Sequence, residues 1–296
     1  MIKRTVLISK KAKINVSLKQ LRIRFEDREI SIPIEDLGFL VLEDHQIHIS
    51  LPALVELNRQ NTAVIVCDEY HMPSSMFLNL DSHHLQQQIF HAQIQASEPL
   101  KKNLWKQTVK KKILNQATLL EKQGVSQHPL YEFARKVTSG DTTNREGAAA
   151  RFYWKNLMGK PFMRERFGEY PNAFLNYGYA ILRAAVARAL AGSGLLNTLG
   201  IHHRNQYNSF ALADDIMEPF RPLVDERVLM IMEKYPNEKE LTKEIKKELL
   251  SILTRTVYRP NGEKSPLMVD LTRTAASLQQ CFTGQKKKIY YPDLWN

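Results

Sequence analysis

Residues 200–225 read G-I-H-H-R-N-Q-Y-N-S-F-A-L-A-D-D-I-M-E-P-F-R-P-L-V-D, and this stretch is the best guide to the fold and the site. Two adjacent histidines, His202 and His203, lie in a short polar segment that a helix-like run follows. Asp215 and Glu218 are three residues apart in that run, so on a helix they share a face. An imidazole beside carboxylates can bind a divalent cation, although acidic residues early in a helix also complement its dipole. This stretch alone leaves both interpretations open.

A second stretch, residues 144–154, reads N-R-E-G-A-A-A-R-F-Y-W. Glu146 is followed by a glycine and three alanines, so no bulky side chain shields its carboxylate within the next turn. Small residues also let another backbone or a nucleic acid approach closely. Arg145 and Arg151 flank the glutamate and could hold phosphates. The alternative is an exposed glutamate near the start of a helix.

Taken together, the two stretches resemble the CRISPR-associated integrases that capture new spacers, the family of the first Cas protein. The resemblance rests on E-G-x-x-A-R-F-Y, then Gly-x-x-His, then D-x-x-E-P-F-R-P, in matching order and spacing. It covers nearly the whole chain. The run D-D-x-M-E-P-F-R-P with its upstream His-His is most similar to members of type II systems, which occur beside single-protein RNA-guided effectors.

The resemblance implies that Glu146, His203 and Glu218 are catalytic and hold a divalent metal, Mg²⁺ or Mn²⁺. Some relatives have aspartate where this chain has Glu218, and either residue supplies carboxylate oxygens. Asp215 matches a further acidic position that could touch the metal directly, act through water, or cap the helix. Two carboxylates and one imidazole suit either metal and leave positions for water and phosphate oxygens.

The implied function is insertion of short spacer DNA into the CRISPR repeat array by attack of its 3′-hydroxyl on a phosphodiester. Water as the attacking group would make the same site an endonuclease. The implied partners are double-stranded DNA (spacer precursor and repeat) and a second copy of the chain, with two homodimers bridged by the small second Cas protein. Two alternatives stay open: a general metal-dependent nuclease that repairs branched DNA, and a non-catalytic DNA-binding scaffold.

Composition narrows the class of protein. The chain has 296 residues, which is enough for two domains, and its formal net charge of +11 favours a polyanionic partner such as nucleic acid. Cys67 and Cys281 have no metal-like spacing, which suits the reducing cytoplasm and excludes a disulfide framework. No apolar run reaches the roughly 18 residues of a membrane span. The sequence therefore predicts a cytoplasmic protein without membrane contact.

The expected fold class is α+β. Residues 1–82 contain short runs such as K-I-N-V-S and L-R-I-R-F, in which polar and apolar residues nearly alternate, and they predict a small β-rich domain. The resemblance assigns dimerisation and DNA contact to this domain. Residues 83–296 carry mostly helical patterns and predict a larger all-α domain with the metal site.

Several basic residues are candidates for DNA contact. A helix is predicted from about Ser97 to Lys122, and on it a lysine stripe recurs every four residues: Lys102, Lys106 and Lys110. Lys101, Lys111 and Lys112 would widen this stripe. Such a stripe could follow a duplex backbone, and a merely solvated face is an equal alternative. The arginines expected near phosphates are Arg145, Arg151, Arg204 and Arg221.

The two histidines are expected to differ in role. The family's Gly-x-x-His pattern selects His203 as the ligand, fifteen residues before Glu218. Neighbours in an extended loop point in opposite directions, so one metal should not take both imidazoles. His202 is therefore expected to pack or hydrogen-bond and to fix the loop.

Overall fold

The computed structural model describes residues 3–79, 81, 83–159, 162–165 and 168–296. Ser82, at the predicted domain boundary, lies outside the described residues, as do parts of the loop expected at residues 160–169. The N-terminal portion is built of strands and the remainder mainly of helices, which confirms the α+β class.

The N-terminal portion contains two four-stranded sheets. The first has the order β1-β5-β7-β8, and the second has the order β4-β3-β2-β6. In the first sheet β1, β5 and β7 run parallel and β8 is antiparallel to β7. The strands are β1 (Arg4–Ile8), β2 (Lys13–Ser17), β3 (Gln20–Arg24), β4 (Glu29–Pro33), β5 (Leu37–Leu42), β6 (His48–Ile49), β7 (Ala63–Cys67) and β8 (Pro73–Phe77). Helix α1 (Leu51–Arg59), with Ser50 at its N-cap and Pro52 in its first turn, connects β6 to β7.

The first sheet joins the two portions of the molecule because it is buried on both faces. All six residues of β5 are buried, which is why this strand reads as a continuous apolar run. Successive side chains alternate between the faces of a strand. Leu40 and Leu42 thus pack into the N-terminal core, whereas Phe39 and Val41 join the large core of the helical portion.

The helical portion is arranged around two long helices. Its helices are α2 (Gln86–Ile94), α3 (Glu98–Lys122), α4 (His128–Arg135), α5 (Arg145–Leu157), α6 (Asn172–Gly192), α7 (Ala211–Met217), α8 (Arg221–Lys234), α9 (Lys243–Leu250) and α10 (Leu267–Phe282). Helix α6 is apolar nearly all round and lies in the core, as expected from its sequence. Helix α3 packs against α4, α5, α8 and the 3-10 turn at Glu218–Phe220, which brings the candidate site onto α3. Within the described segments no helix is both long and apolar enough to cross a bilayer.

Two elements differ from the sequence-based expectation. Strand β8 lies in residues 68–84, which read as a linker, and it forms by pairing with β7 although its residues are half-buried or exposed. The portion expected to be all-α also contains a two-stranded hairpin, β9 (Thr256–Tyr258) with β10 (Lys264–Pro266). Strand β8 lacks a clear alternation of polar and apolar residues, and β9 and β10, with three residues each, are too short to show one.

The C-terminal tail after α10 folds back onto the molecule. The Tyr291 ring lies 5.9 Å from that of Phe220, and its hydroxyl is 2.8 Å from the hydroxyl of Thr108 on α3. Asp293 pairs with Lys111 at 2.6 Å. The tail therefore supports α3 and the 3-10 turn that carries Glu218.

Candidate functional site

The start of α5 places Glu146. Asn144 adopts a left-handed conformation (φ 47°, ψ 49°) and its side-chain oxygen accepts a hydrogen bond from the Gly147 N–H at 3.0 Å. The Asp141 carboxylate accepts from the N–H groups of Arg145 and Glu146, both at 2.9 Å. These carboxylate and amide caps satisfy the first N–H groups of the helix. A Cβ on Gly147 would lie only 2.6 Å from Asn144 Oδ1, so this cap requires the glycine of the E-G motif.

Asp215 shapes the histidine loop. Its carboxylate is fully buried and accepts from the N–H groups of Ile201 at 2.7 Å and His202 at 2.9 Å, and from the His203 N–H at 3.3 Å. Its Oδ1 also lies 2.5 Å from His203 Nδ1. A Cβ on Gly200 would come within 2.6 Å of the His203 carbonyl oxygen and 2.8 Å of Asp215 Oδ2. The glycine is therefore what lets the loop close over the carboxylate.

The contact with Asp215 also sets the chemistry of His203. A carboxylate on Nδ1 favours the tautomer that donates from this nitrogen and leaves Nε2 as an acceptor, which is the usual arrangement of a metal-binding imidazole. The hydrogen bond to Asp215 raises the pKa of His203, although burial opposes it. The His203 side chain keeps 44% of its surface exposed, so Nε2 can be approached.

His202 packs, as expected. Its ring stacks on the buried indole of Trp105 from α3, with centroids 4.1 Å apart and planes 3° from parallel. Burial lowers the pKa of His202. This stack joins the loop to α3, although His202 as a whole remains exposed. No sequence pattern pointed to Trp105, because the contact joins segments about a hundred residues apart.

Lys112 brings the two predicted catalytic carboxylates together. Its Nζ lies 2.5 Å from Glu146 Oε1 and 2.5 Å from Glu218 Oε2, and the residue is only 7% exposed. Arg221 Nη1 contacts the other oxygen of Glu218 at 2.6 Å. Glu218 Oε2 is buried, and the Lys112 ammonium is its charged partner. Two carboxylates and two cations thus form one cluster, in which Lys112 and Glu218 are buried and Glu146 and Arg221 are half-buried.

The expectation that Lys112 widens an exposed stripe is wrong. Positions 105, 108, 109, 113 and 116 of α3 are buried, and Lys112 lies on the same face three or four residues from several of them. That spacing was visible in the sequence and could have identified it as a buried lysine. A lysine in such a place needs carboxylate partners, which Glu146 and Glu218 supply.

The charges of the cluster stabilise one another. Burial alone would raise the pKa of Glu218, but Arg221 and Lys112 outweigh it and lower the pKa to about 2. Burial alone would lower the pKa of Lys112, but Glu218 and Glu146 outweigh it and raise the pKa. Glu218 and Lys112 are therefore both charged at neutral pH.

A cavity of about 480 Å³ opens beside the cluster. Its walls combine cationic and aromatic side chains: Lys112, Arg151, Lys155, Arg164, Arg221, Trp154, Phe162 and Tyr179. The Arg221 guanidinium lies 4.1 Å from the centroid of the Tyr179 ring. The Asp225 carboxylate accepts hydrogen bonds from the hydroxyls of Tyr153 and Tyr179. Burial raises the pKa of Asp225 to about 6.

The other predicted DNA contacts are distributed more widely. Arg151 is exposed and lines the cavity, whereas Arg145 donates to Thr143 Oγ1 at 3.2 Å and Arg204 pairs with Glu98 at 2.5 Å. The Arg221 guanidinium forms an ion pair with Glu218. In the lysine stripe Lys102 and Lys110 are exposed and Lys106 is half-buried, so the stripe faces solvent.

The side chains can be compared with what a divalent ion needs. As they stand, no three His, Cys, Asp or Glu groups among the described residues are arranged to hold a metal, because Lys112 lies between Glu146 and Glu218. The donor types nevertheless fit Mg²⁺ or Mn²⁺, which prefer carboxylate oxygens and accept an imidazole. Glu218 Oε2 is buried and already faces a cation, the Lys112 ammonium at 2.5 Å, so this oxygen lies where positive charge is favourable.

Comparisons with known proteins identify the family of the chain. The family described as CRISPR associated protein Cas1 matches residues 5–256. The chain is 39% identical over 294 residues to a CRISPR-associated endonuclease Cas1 from Neisseria meningitidis serogroup C (strain 8013), covering 98% of this chain and 96% of the relative. A second relative, CRISPR-associated endonuclease Cas1 1 from Francisella tularensis subsp. novicida (strain U112), is 30% identical over 170 residues, covering 53% of this chain and 54% of the relative.

Solved structures share the fold. A casposase bound to integration product superposes with a TM-score of 0.81 at 21% identity, covering 97% of this chain and 92% of that chain. A Cas1 protein from Thermotoga maritima superposes with a TM-score of 0.78 at 15% identity, covering 97% of this chain and 99% of that chain. The match over residues 5–256 and the full-length identity to the Neisseria relative show that the chain belongs to the CRISPR-associated Cas1 family.

Proposed function

We propose that this chain is a metal-dependent DNA integrase and endonuclease of CRISPR adaptation. The observation that carries the proposal is the convergence of Glu146 and Glu218, from separate elements, on one buried cation at the edge of a basic and aromatic cavity. Carboxylates gathered beside phosphate-binding side chains are typical of sites that cleave or transfer phosphodiesters. Membership of the Cas1 family supports the same class of reaction.

Glu146, His203 and Glu218 are the residues that would hold Mg²⁺ or Mn²⁺. When bound, the metal would polarise the phosphodiester and neutralise charge that develops in the transition state. Asp215 accepts a hydrogen bond from Nδ1 of His203, which leaves Nε2 as the nitrogen that would bind the metal. Arg221 holds the second oxygen of Glu218 and limits the directions in which its carboxylate can turn.

The cavity would receive the end of a DNA strand. Arg151 and Arg164 supply positive charge for phosphates, and Trp154, Phe162 and Tyr179 supply faces for base stacking. The attacking group would be the strand's 3′-hydroxyl, and water in its place would give hydrolysis. The exposed lysine stripe would add salt-dependent affinity for the duplex.

The net charge of +11 supports double-stranded DNA, both spacer precursor and repeat, as the partner. Related folds occur in a solved complex named Cas6-RT-Cas1–Cas2. By extension, this chain would form a homodimer, and the small second Cas protein would bridge two homodimers in the cytoplasm. The two reduced, buried cysteines are compatible with that compartment.

The test is a joining assay with purified protein. A short duplex with free 3′-hydroxyls should become covalently attached to a repeat-bearing plasmid in Mn²⁺ or Mg²⁺, and a chelator should stop the reaction. A duplex with dideoxy 3′ ends is the matched control, and it should bind without being joined. Undiminished joining in excess chelator would refute metal dependence. Cleavage of branched DNA without joining would favour a repair nuclease, and binding without either reaction would favour a scaffold.

A further inference from the structure

Lys112 lies between two of the proposed metal ligands, Glu146 and Glu218. Its ammonium contacts both carboxylates at 2.5 Å, while Arg221 compensates the second charge. Like-charged carboxylates this close to a common atom would repel each other without a cation between them. In the metal-free protein, Lys112 therefore does what a bridging metal would do electrostatically.

A metal and this ammonium cannot share the gap. A divalent ion bound through both Glu146 and Glu218 would lie about 2.1 Å from their oxygens, which is close to where Lys112 Nζ now lies. Retaining the lysine beside a divalent cation would also add unfavourable like-charge contact in a buried site. The ammonium must leave the gap when the metal enters.

The cavity offers a destination. Lys112 already lines it, together with Arg151 and Arg164 on the opposite walls. The carboxylate there, Asp225, accepts hydrogen bonds from two tyrosine hydroxyls. An ammonium turned into this space would lie among cations, so an anion has to compensate it. A DNA phosphate is the anion that the proposed function supplies.

We propose that Lys112 is an exchangeable cation: it holds Glu146 and Glu218 in the metal-free protein, yields them to the divalent ion, and turns into the cavity to bind a DNA phosphate. This rests on the proposed function, because it requires metal at those carboxylates and DNA in the cavity. The consequence is that metal and DNA binding assist each other. By thermodynamic reciprocity, Mn²⁺ should tighten DNA binding by the same factor by which DNA tightens Mn²⁺ binding.

The experiment compares the wild-type chain with Lys112→Met, which keeps the length of the side chain and removes its charge. Mn²⁺ binding without DNA is measured by titration calorimetry, and binding of a dideoxy-terminated duplex is measured with and without Mn²⁺. Without the competing ammonium, Mn²⁺ affinity should rise by about tenfold or more. The tightening of DNA binding by Mn²⁺, several-fold in the wild type, should be clearly smaller in Lys112→Met, because only direct contact between metal and DNA would remain. Lys247→Met, an exposed position on α9, is the control for lost charge and should change neither quantity.

Several outcomes would overturn the proposal. Weaker Mn²⁺ binding by a folded Lys112→Met protein would mean that the lysine merely supports the ligands. DNA binding by the wild type that is indifferent to Mn²⁺ would also exclude the exchange, and this measurement needs no variant. If Lys112→Met folds only in Mn²⁺, the metal is replacing the ammonium, which supports the proposal. If Lys112→Met folds neither with nor without Mn²⁺, the same measurements are made on Lys112→Gln.

The proposed exchange of Lys112 and the proposed integrase function can be refuted independently of each other. A wild-type chain that binds no Mn²⁺ and joins no DNA would refute the proposed function. A wild-type chain that does both, with Mn²⁺ affinity unchanged in Lys112→Met, would refute only the role of Lys112.

Discussion

Replacing Asp215 with asparagine should disable the histidine loop. The Asp215 carboxylate is fully buried and accepts from three backbone N–H groups and the ring of His203. Hydrogen bonds to a charged group contribute about 1.5–3 kcal/mol each. Asparagine keeps one acceptor oxygen and turns an NH₂ group toward donors, which leaves buried donors unpaired. We expect the free energy of unfolding to fall by about 3–5 kcal/mol.

The same substitution should act on His203. Because the hydrogen bond to Asp215 is the main cause of its raised pKa, the pKa of His203 should fall in Asp215→Asn. Losing the group that orients a ligating imidazole typically lowers metal affinity about 10–100-fold. Denaturant titration, NMR titration of the histidines in metal-free protein, and Mn²⁺ calorimetry would measure the three effects.

Asp214→Asn is the matched control. Asp214 precedes Asp215 on α7 but accepts from the Asn208 side chain at 2.8 Å and is only partly buried. The free energy of unfolding of Asp214→Asn should fall by less than about 1 kcal/mol, and its Mn²⁺ affinity should equal that of the wild type. If Asp215→Asn behaved like this control, the claim that a buried carboxylate builds the loop and orients His203 would be refuted.

Three further predictions concern pH, the histidines and DNA. Burial raises the pKa of Asp225 from 3.8 to about 6, so its contribution to stability is present below pH 4 and is lost as pH rises through 6. The free energy of unfolding should fall by on the order of 3 kcal/mol over this pH range. The difference in this free energy between wild type and Asp225→Asn, measured by denaturant titration, should change with pH by the same amount, and a difference that is independent of pH would contradict the prediction. His203→Ala should abolish single-turnover joining, whereas His202→Ala should retain much of it; the reverse result would shift the ligand register by one residue. Reversing the charges of the lysine stripe should weaken DNA binding and flatten its salt dependence, and an unchanged slope would identify a solvated face.

Local patterns predicted much of this molecule. The family, the α+β class, helix α3 and the packing of His202 agree with the structure, since periodicity, caps and motif spacing are properties of neighbouring residues. The roles of Glu146, His203 and Glu218 as ligands remain a prediction, although the structure brings the two glutamates together at one lysine.

What the sequence did not predict depends on contacts between distant segments. Lys112 lies 34 residues before Glu146 and was predicted to widen an exposed lysine stripe, because the run of lysines around it obscured the buried positions beside it. Strand β8 and the β9–β10 hairpin exist through pairing rather than apolar alternation. The cavity combines α3, α5, α6 and α8 with the segment after α5, so no single stretch could reveal it.

The most direct test of the central claim is single-turnover joining by Glu146→Gln. Glutamine keeps the size of the side chain and removes the charge that a metal requires, and Glu146 is the more exposed of the two glutamates, at 29% against 6%. With equal amounts of bound DNA and saturating Mn²⁺, the rate should fall by at least about 100-fold while DNA affinity stays near that of the wild type. Joining within a few-fold of the wild-type rate would contradict the assignment of this cluster as the catalytic site.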